Sequence, residues 1–295
     1  MCVAAPQAEG WRLEAPEPVG SPETLFARLR ARAAGAPIAF GIDCPLGLPR
    51  AYAARHTNAA DFPGFLRQLR DRPAFFTVAA TLADVSATSP FYPARGIAGM
   101  TRLAHAAALG LPDAAALCRA CDRATSERPA GAPVFWTLGA NQSGKAAISA
   151  WRDMLIPALH TADPPRLWPF EGPMLSLLRR GGIVIAETYP AEAMRHLSLT
   201  IAGSKRHQSD RAAYCGEMLN AMTRLTTTPS PSLRQALADG FGQADTGEDR
   251  FDSVLGVLCV LTVLTGARPD IAPDDPWIQT WEGWVLGQTA LPRSP

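Results

Sequence analysis

Short apolar runs that stop on an acidic residue recur along this chain. Pro37-Ile-Ala-Phe-Gly-Ile-Asp-Cys-Pro closes on Asp43, and Gly182-Ile-Val-Ile-Ala-Glu-Thr-Tyr-Pro closes on Glu187. A third run opens on acids instead: Glu248-Asp-Arg-Phe-Asp-Ser-Val-Leu-Gly-Val-Leu sets Asp249 and Asp252 ahead of its apolar stretch. The first two are strand-like, over 38–42 and 183–187, and the third predicts a core helix over 249–265. Ser21-Pro22-Glu23 reads as an N-cap with proline at the first helical position, and Leu25, Phe26 and Leu29 give the following helix, 22–33, an apolar face. Cys44-Pro-Leu-Gly-Leu-Pro makes a rigid turn that fixes the direction of Asp43. Helices are expected near 191–198 and over 209–226, the second carrying Tyr214, Met218, Met222 and Leu225 at helical spacing. Trp277, Trp281 and Trp284 recur at i, i+4, i+7, the signature of a packed helix face. Residues 51–180 read as a mixed helical and loop insertion rich in proline and aromatics, without a linker, internal repeat or low-complexity block.

Composition narrows the class. With 295 residues, 47% of them hydrophobic, the chain can bury one large core, and one elaborated domain over 1–295 is the expectation. The longest apolar stretch, 254–264, is too short to span a bilayer, so no membrane partner is expected. Six cysteines lack the density of a secreted disulfide scaffold and no signal peptide opens the sequence, which fits a reducing cytoplasm. A formal net charge of +1 does not advertise a nucleic-acid binder, so any such binding rests on a local patch.

Carboxylates are costly to bury alone and repel one another, and several converging on one rim of a core suggest a divalent cation, Mg²⁺ or Mn²⁺. Asp43 and Glu187 both fall at strand ends, where an open parallel sheet gathers its ligands. Asp249 and Asp252, three apart on a helix, share a face with about 5–6 Å between Cβ atoms. Each acid also has a structural reading. Asp43 can cap the turn that follows it, Glu187 can pair with an arginine such as Arg195, and Asp249 can serve the helix dipole. Asp252, entering an apolar helix beside Phe251 and Val254, needs a partner most.

Phe40-Gly-Ile-Asp-Cys-Pro-Leu-Gly-Leu-Pro, Pro90-Phe-Tyr-Pro, Phe135-Trp-Thr-Leu-Gly, Trp168-Pro-Phe-Glu-Gly, Glu187-Thr-Tyr-Pro-Ala-Glu and Glu248-Asp-Arg-Phe-Asp-Ser together resemble the "domain of unknown function 429" family of nucleases inferred from sequence. The resemblance covers nearly the whole chain. It implies an α/β fold of the ribonuclease H-like kind, a mixed sheet flanked by helices with a large, mostly helical insertion, and a two-metal site at Asp43, Glu187, Asp249 and Asp252. The Asp-x-x-Asp opening of the last core helix is similar to that of Holliday-junction resolvases of the same fold, chemistry that would favour a dimer. One departure stands out: such folds begin with a strand bearing an aspartate, whereas here the first acid is Glu9. Residues 1–5 and Trp11-Arg-Leu-Glu resemble the second and third strands, so the expectation is a start about 15–25 residues late and weak or absent catalysis in this form.

Two-metal carboxylate chemistry needs no side-chain nucleophile: one metal activates water and the other stabilises the leaving oxygen. Lys205, Arg206 and Arg211, with Ser204 and His207, form the densest basic cluster and are the expected phosphate contacts; a solvated loop and helix start is the plain alternative. Gly139-Ala-Asn-Gln-Ser-Gly-Lys145 has phosphate-loop spacing, but Ala146 stands where a metal-binding hydroxyl belongs. Cys118-x-x-Cys121 lies in a helical-looking segment, 114–124, without a second pair of zinc ligands. No Gly-x-Ser-x-Gly elbow is present. Two function classes remain: a metal-dependent nuclease, and a non-catalytic or nucleotide- or phosphorylated-ligand-binding protein on the same fold.

Overall fold

A computed structural model describes residues 1–96, 98–139, 142–199, 203–244 and 246–293. The chain is α/β. It begins with β1 (Ala4–Pro6), β2 (Trp11–Leu13), α1 (Pro22–Ala33) and β3 (Ile38–Ile42). The region predicted as an insertion carries α2 (Arg50–His56), α3 (Phe62–Gln68), α4 (Arg102–Ala108), α5 (Ser143–Ala150), α6 (Ile156–Leu159), β4 (Arg166–Leu167) and α7 (Met174–Arg179), with short 3₁₀ turns between some of them and a π-turn, Trp151–Leu155, between α5 and α6. β5 (Ile183–Glu187), α8 (Pro190–His196), α9 (Gln208–Ala213), α10 (Cys215–Arg224), β6 (Thr227–Pro229), α11 (Pro231–Ala238) and α12 (Thr246–Leu264) complete the order. No helix among the described residues is long and apolar enough to cross a membrane.

The chain divides into two compact units. The first contains residues 1–20, 41–43 and 188–270. Its sheet runs β1-β2-β6, with β1 antiparallel to β2 in the register Ala4↔Leu13 and β2 parallel to β6 in the register Trp11↔Thr227. Gly10 turns the hairpin at φ +79°, and a Cβ there would lie 1.9 Å from the Thr226 carbonyl oxygen, so the close approach of β2 to the strand-leading residue requires glycine. Leu13, Met218, Met222, Leu233, Phe251 and Leu258 are among the side chains that fill the core of this unit. α12 supplies the largest share, because Phe251, Val254, Leu255, Leu258 and Cys259 follow one another at helical spacing and are fully buried. The helix expected over 209–226 is two helices. Tyr214, at φ −86° and ψ 0°, donates its N–H to the Arg211 carbonyl three residues back, and this 3₁₀-type tightening separates α9 from α10.

The second unit contains residues 21–40, 44–187 and 271–295. The sheet order here is β3-β5-β4, with β3 contributing Ile38–Phe40 to this unit and β4 parallel to β5 in the register Arg166↔Val184. β5 is buried at every residue, as its unbroken Ile-Val-Ile-Ala requires. Aromatic rings do much of the packing: Phe91 stands edge-on to Phe135 at 5.3 Å and Phe62 to Trp151 at the same separation. The tryptophans expected on one helix face are split. A single π-turn covers Ile278–Glu282, Gly283 at φ +67° ends it, and Trp284 lies beyond. Trp281 and Trp284 are buried, whereas Trp277 is half-buried beneath the Arg50 guanidinium at 4.9 Å. Gly283 is held to glycine, since a Cβ would come within 2.0 Å of the Leu46 carbonyl oxygen.

Candidate functional site

The four predicted acids are divided between the two units: Asp43, Asp249 and Asp252 belong to the first and Glu187 to the second. Glu187 ends β5 with its side chain turned into the interior, 6% exposed. Its Oε2 accepts the Leu46 N–H at 2.7 Å and Arg119 Nη1 at 2.6 Å, and its Oε1 accepts Arg119 Nη2 at 2.8 Å. The arginine partner is thus Arg119, and Arg195, the partner considered from sequence, pairs with Glu192 instead at 2.8 Å. Arg119 is 1% exposed and bridges on to Asp122, with Nε at 3.0 Å from Oδ2 and Nη2 at 2.8 Å from Oδ1. Its Nη1 also reaches the Glu282 carbonyl at 3.4 Å. Every nitrogen of the guanidinium is therefore engaged, and the carboxylates around it hold Arg119 well above its ordinary pKa against the effect of burial.

Cys121, Asp122 and Glu187 bring one ligand atom each within 4.8 Å of one another, all buried. This set does not fit Mg²⁺ or Mn²⁺. Those hard cations prefer all-oxygen shells, the Cys121 thiol is pushed up by burial, and the guanidinium already fills the space between the carboxylates. Its chemistry is that of a hydrogen-bonded ion pair that ties β5 to the 44–48 turn. Glu282 lies at its margin, with burial raising its carboxyl while the Arg50 N–H, donating at 3.0 Å, opposes the rise.

In the first unit Asp43 and Asp249 are exposed, and Asp252 is half-buried on α12. The 4.8 Å closeness that joins the second unit's cluster does not join these three acids. Lys205 Nζ donates to both oxygens of Asp252, at 2.6 and 2.7 Å. Burial pushes the Asp252 carboxyl up, the Lys205 ammonium opposes this, and Glu248 and Asp249 add to the rise. Oxygen donors are what Mg²⁺ or Mn²⁺ takes, but these acids are not gathered about one point and the Asp252 carboxylate is already met by the ammonium. Arg206 is open to solvent, its side chain 71% exposed and 4.0 Å from Glu248. Arg211 is different from its expected role. It is 2% exposed, and its guanidinium donates to the carbonyls of Gly240 and Gly242, each at 2.8 Å, and to that of Lys205. Each guanidinium nitrogen is thus engaged by a backbone carbonyl away from solvent, so Arg211 serves to clamp the loop that carries Lys205. Asp210 assists by accepting the Ser204 N–H at 2.8 Å.

A second buried group went unread in the sequence. Glu192 and His196, four apart on α8, face each other at 3.3 Å, an ion-pair distance that is off-line for a hydrogen bond. His196 Nδ1 lies 3.8 Å from Cys259 Sγ. The order thiol, imidazole, carboxylate resembles that of a cysteine nucleophile, but Cys259 is fully buried and its thiol is pushed up to about 12, so no thiolate is presented. The i, i+3, i+4 spacing of Glu192, Arg195 and His196 was the available signal.

Cys118 and Cys121 sit on separate turns, Cys118 following the 3₁₀ turn Ala114–Leu117 and Cys121 within Ala120–Asp122. The expected helical segment is broken because Asp113 and Asp122 each hold a local backbone N–H, at 2.9 and 3.0 Å. In the phosphate-loop spacing, Ala140 and Asn141 lie outside the described residues, and Ser143 begins α5. Comparison with protein-family models, with curated proteins and with solved structures finds no match.

Proposed function

We propose that this chain is a metal-dependent phosphodiesterase acting on nucleic acid, a nuclease on a ribonuclease H-like α/β fold of the "domain of unknown function 429" kind. Asp252 is its central carboxylate, with Asp249 and Asp43 as further oxygen donors to Mg²⁺ or Mn²⁺. The observation that carries the reading is the half-shielded Asp252 at the acidic end of α12, holding a cation across both oxygens. The bound metal would supply an activated water and neutralise charge at phosphorus. Lys205, Arg206 and His207 supply the local basic patch for the phosphate backbone, and Arg211 positions the first of them. Glu187, joined to Arg119, is a positioning carboxylate for the turn that follows Asp43 in sequence. Six free cysteines suit a reducing cytoplasm.

A second reading, binding of a phosphorylated ligand without hydrolysis, is favoured by one observation: Lys205 and Arg119 already neutralise two of the four acids. The test is Mn²⁺-dependent cleavage of labelled RNA, DNA, hybrid and junction substrates by the chain and by Asp252→Asn. Cleavage that disappears in EDTA and falls more than about a hundredfold in the variant is the expected result. A folded, metal-loaded chain that binds these oligonucleotides and leaves them intact would replace the nuclease with the second reading.

A further inference from the structure

The near-neutral charge of the whole chain conceals an uneven division. The second unit carries 19 Lys and Arg against 14 Asp and Glu, a net +5, while the first carries 9 against 13, a net −4. Part of the excess is gathered where several short elements of the second unit meet. α2, α4, the 3₁₀ turns at 114–117 and 120–122 and the π-turn at 278–282 pack against one another in a chain. Arg50 and Arg55 on α2, Arg102 on α4 and Arg123 directly after the second 3₁₀ turn are all exposed. Their charges act on common groups beneath. Arg102 and Arg123 both pull on the Cys118 thiol, Arg123 acts on the Glu282 carboxyl, and Arg50 donates its main-chain N–H to that carboxyl at 3.0 Å. Arg55 lies against the turn that follows α4, where a Cβ on Gly110 would stand 3.1 Å from its Nε. Among the described residues none of these four guanidinium groups meets a carboxylate, whereas Arg30, Arg119 and Arg152 of the same unit all do. Asp113 and Asp275, which flank these elements, are occupied with the N–H groups of Ala116 and Trp277, at 2.9 and 2.8 Å.

Two of the four are carried on indole rings. The Arg50 guanidinium is centred 4.9 Å from the Trp277 ring, and that of Arg102 is 6.0 Å from the Trp136 ring. An indole beneath a guanidinium restricts where it can go, so the charge is placed in advance of any partner. Trp277 is itself only half-buried and brings a ring to the surface. Unpaired arginines interleaved with aromatic rings match the chemistry of a single-stranded nucleic acid. The cations meet successive phosphates, while rings and guanidinium planes offer stacking surfaces to unpaired bases. A duplex keeps its bases stacked within itself and would leave Trp277 unused. We propose that this side of the second unit, through Arg50, Arg102, Arg123 and Trp277 with Arg55 at its margin, binds single-stranded nucleic acid. It belongs to a different unit from Lys205 and Asp252. Strand binding here goes beyond the nuclease reading and stands whether or not the chain cleaves.

The experiment is fluorescence anisotropy of labelled single strands of about 15 nucleotides with the full chain in EDTA, where metal-dependent cleavage is silent, over a series of salt concentrations. The proteins are the wild type, Arg50→Gln/Arg102→Gln/Arg123→Gln, Trp277→Leu, and Arg179→Gln/Arg180→Gln, which removes two exposed arginines at the end of α7 in the same unit. Circular dichroism checks the folding of each, and the exposed arginine positions secure a folded variant even if Trp277→Leu is disturbed. At roughly 50 mM salt the triple variant should bind more than about tenfold more weakly, and its slope of log affinity against log salt should be shallower by about 2, the share of three phosphate contacts. Trp277→Leu should weaken binding about fivefold or more with little change in that slope, as loss of one stacked base does. The α7 pair should leave affinity nearly unchanged. A folded triple variant that binds as the wild type does, an equal loss in the α7 pair, or absence of binding by the wild type at low salt would each overturn the proposal. So would a duplex bound as tightly as the single strand with Trp277→Leu indifferent. Cleavage is read separately with Mn²⁺, so loss of the nuclease reading leaves strand binding standing, and failure of strand binding at this surface leaves the nuclease reading to its Asp252→Asn test.

Discussion

Replacing Arg119 with methionine deletes a guanidinium that is 1% exposed and leaves its partners in place. Asp122 and Glu187, 8% and 6% exposed, would each lose two charge-assisted hydrogen bonds of 2.6–3.0 Å. They would keep only the N–H of residue 119 at 3.0 Å and the Leu46 N–H at 2.7 Å. Deleting one partner of a buried ion pair costs about 3–5 kcal/mol, and with two carboxylates orphaned the upper half of that range applies. Urea unfolding at pH 7, followed by tryptophan fluorescence, should show a midpoint lower by more than about 1 M. Glu187→Gln keeps an acceptor for Leu46 and should cost less, about 1–3 kcal/mol. In the double variant the losses should be less than additive, since the methionine then orphans one carboxylate instead of two. A loss under about 1 kcal/mol at pH 7 would refute the reasoning, because it would mean that water or another cation reaches these carboxylates as easily as Arg119 does.

Two further outcomes concern other buried groups. Burial would raise the Glu192 carboxyl, but His196 and Arg195 outweigh it and hold the group down to about 2. Its stabilisation, about 2–3 kcal/mol, is complete above the ordinary glutamate value near 4.3 and fades as pH falls toward 2. Urea midpoints of wild type and Glu192→Gln should accordingly converge between pH 5 and 2, and a gap that stays constant over that range would dismiss the pairing. His105 is fully buried, which lowers it to about 4 although its Nε2 contacts the Pro90 carbonyl at 2.7 Å. The unfolded ring takes up a proton near 6.5 while the folded ring resists, so stability falls by about 3 kcal/mol as pH drops from 6.5 to 4. The ring resonances of His105 should stay still from pH 8 to 5, and movement centred near 6.5 would contradict its isolation.

The parts of this fold that were legible in the sequence are those set by local pattern. Helix α1 begins at Pro22 as its cap signal indicates, β3 and β5 run over the predicted 38–42 and 183–187, and α12 differs from its expected bounds by a few residues at its start and one at its end. Legibility failed where a distant partner decides. Nothing near Glu187 reveals Arg119, which is 68 residues away and belongs to a segment of short turns with no periodicity. Arg211 looked like a phosphate ligand because it follows Lys205 and Arg206; only the fold places three carbonyl oxygens around its guanidinium. The division into two units was equally hidden, because residues 41–43 join the first unit from the middle of a segment that otherwise belongs to the second.

The acids themselves sort by how their charge is met, and that ordering is a better guide to chemistry than their position at strand or helix ends. Glu187 is buried and fully coordinated by Arg119 and a backbone N–H, a state in which a metal would have to displace a guanidinium that no solvent awaits. Asp43 and Asp249 are exposed, so solvent screens much of their charge. Asp252 lies between these limits, half-shielded and served by a flexible lysine in place of a rigid arginine. A lysine ammonium is a compact point charge on a mobile stem, the side-chain cation closest in behaviour to a metal ion. Among the four acids, Asp252 is therefore the one whose charge is met by a mobile partner at a half-open position, and the proposed nuclease reading stands or falls with it.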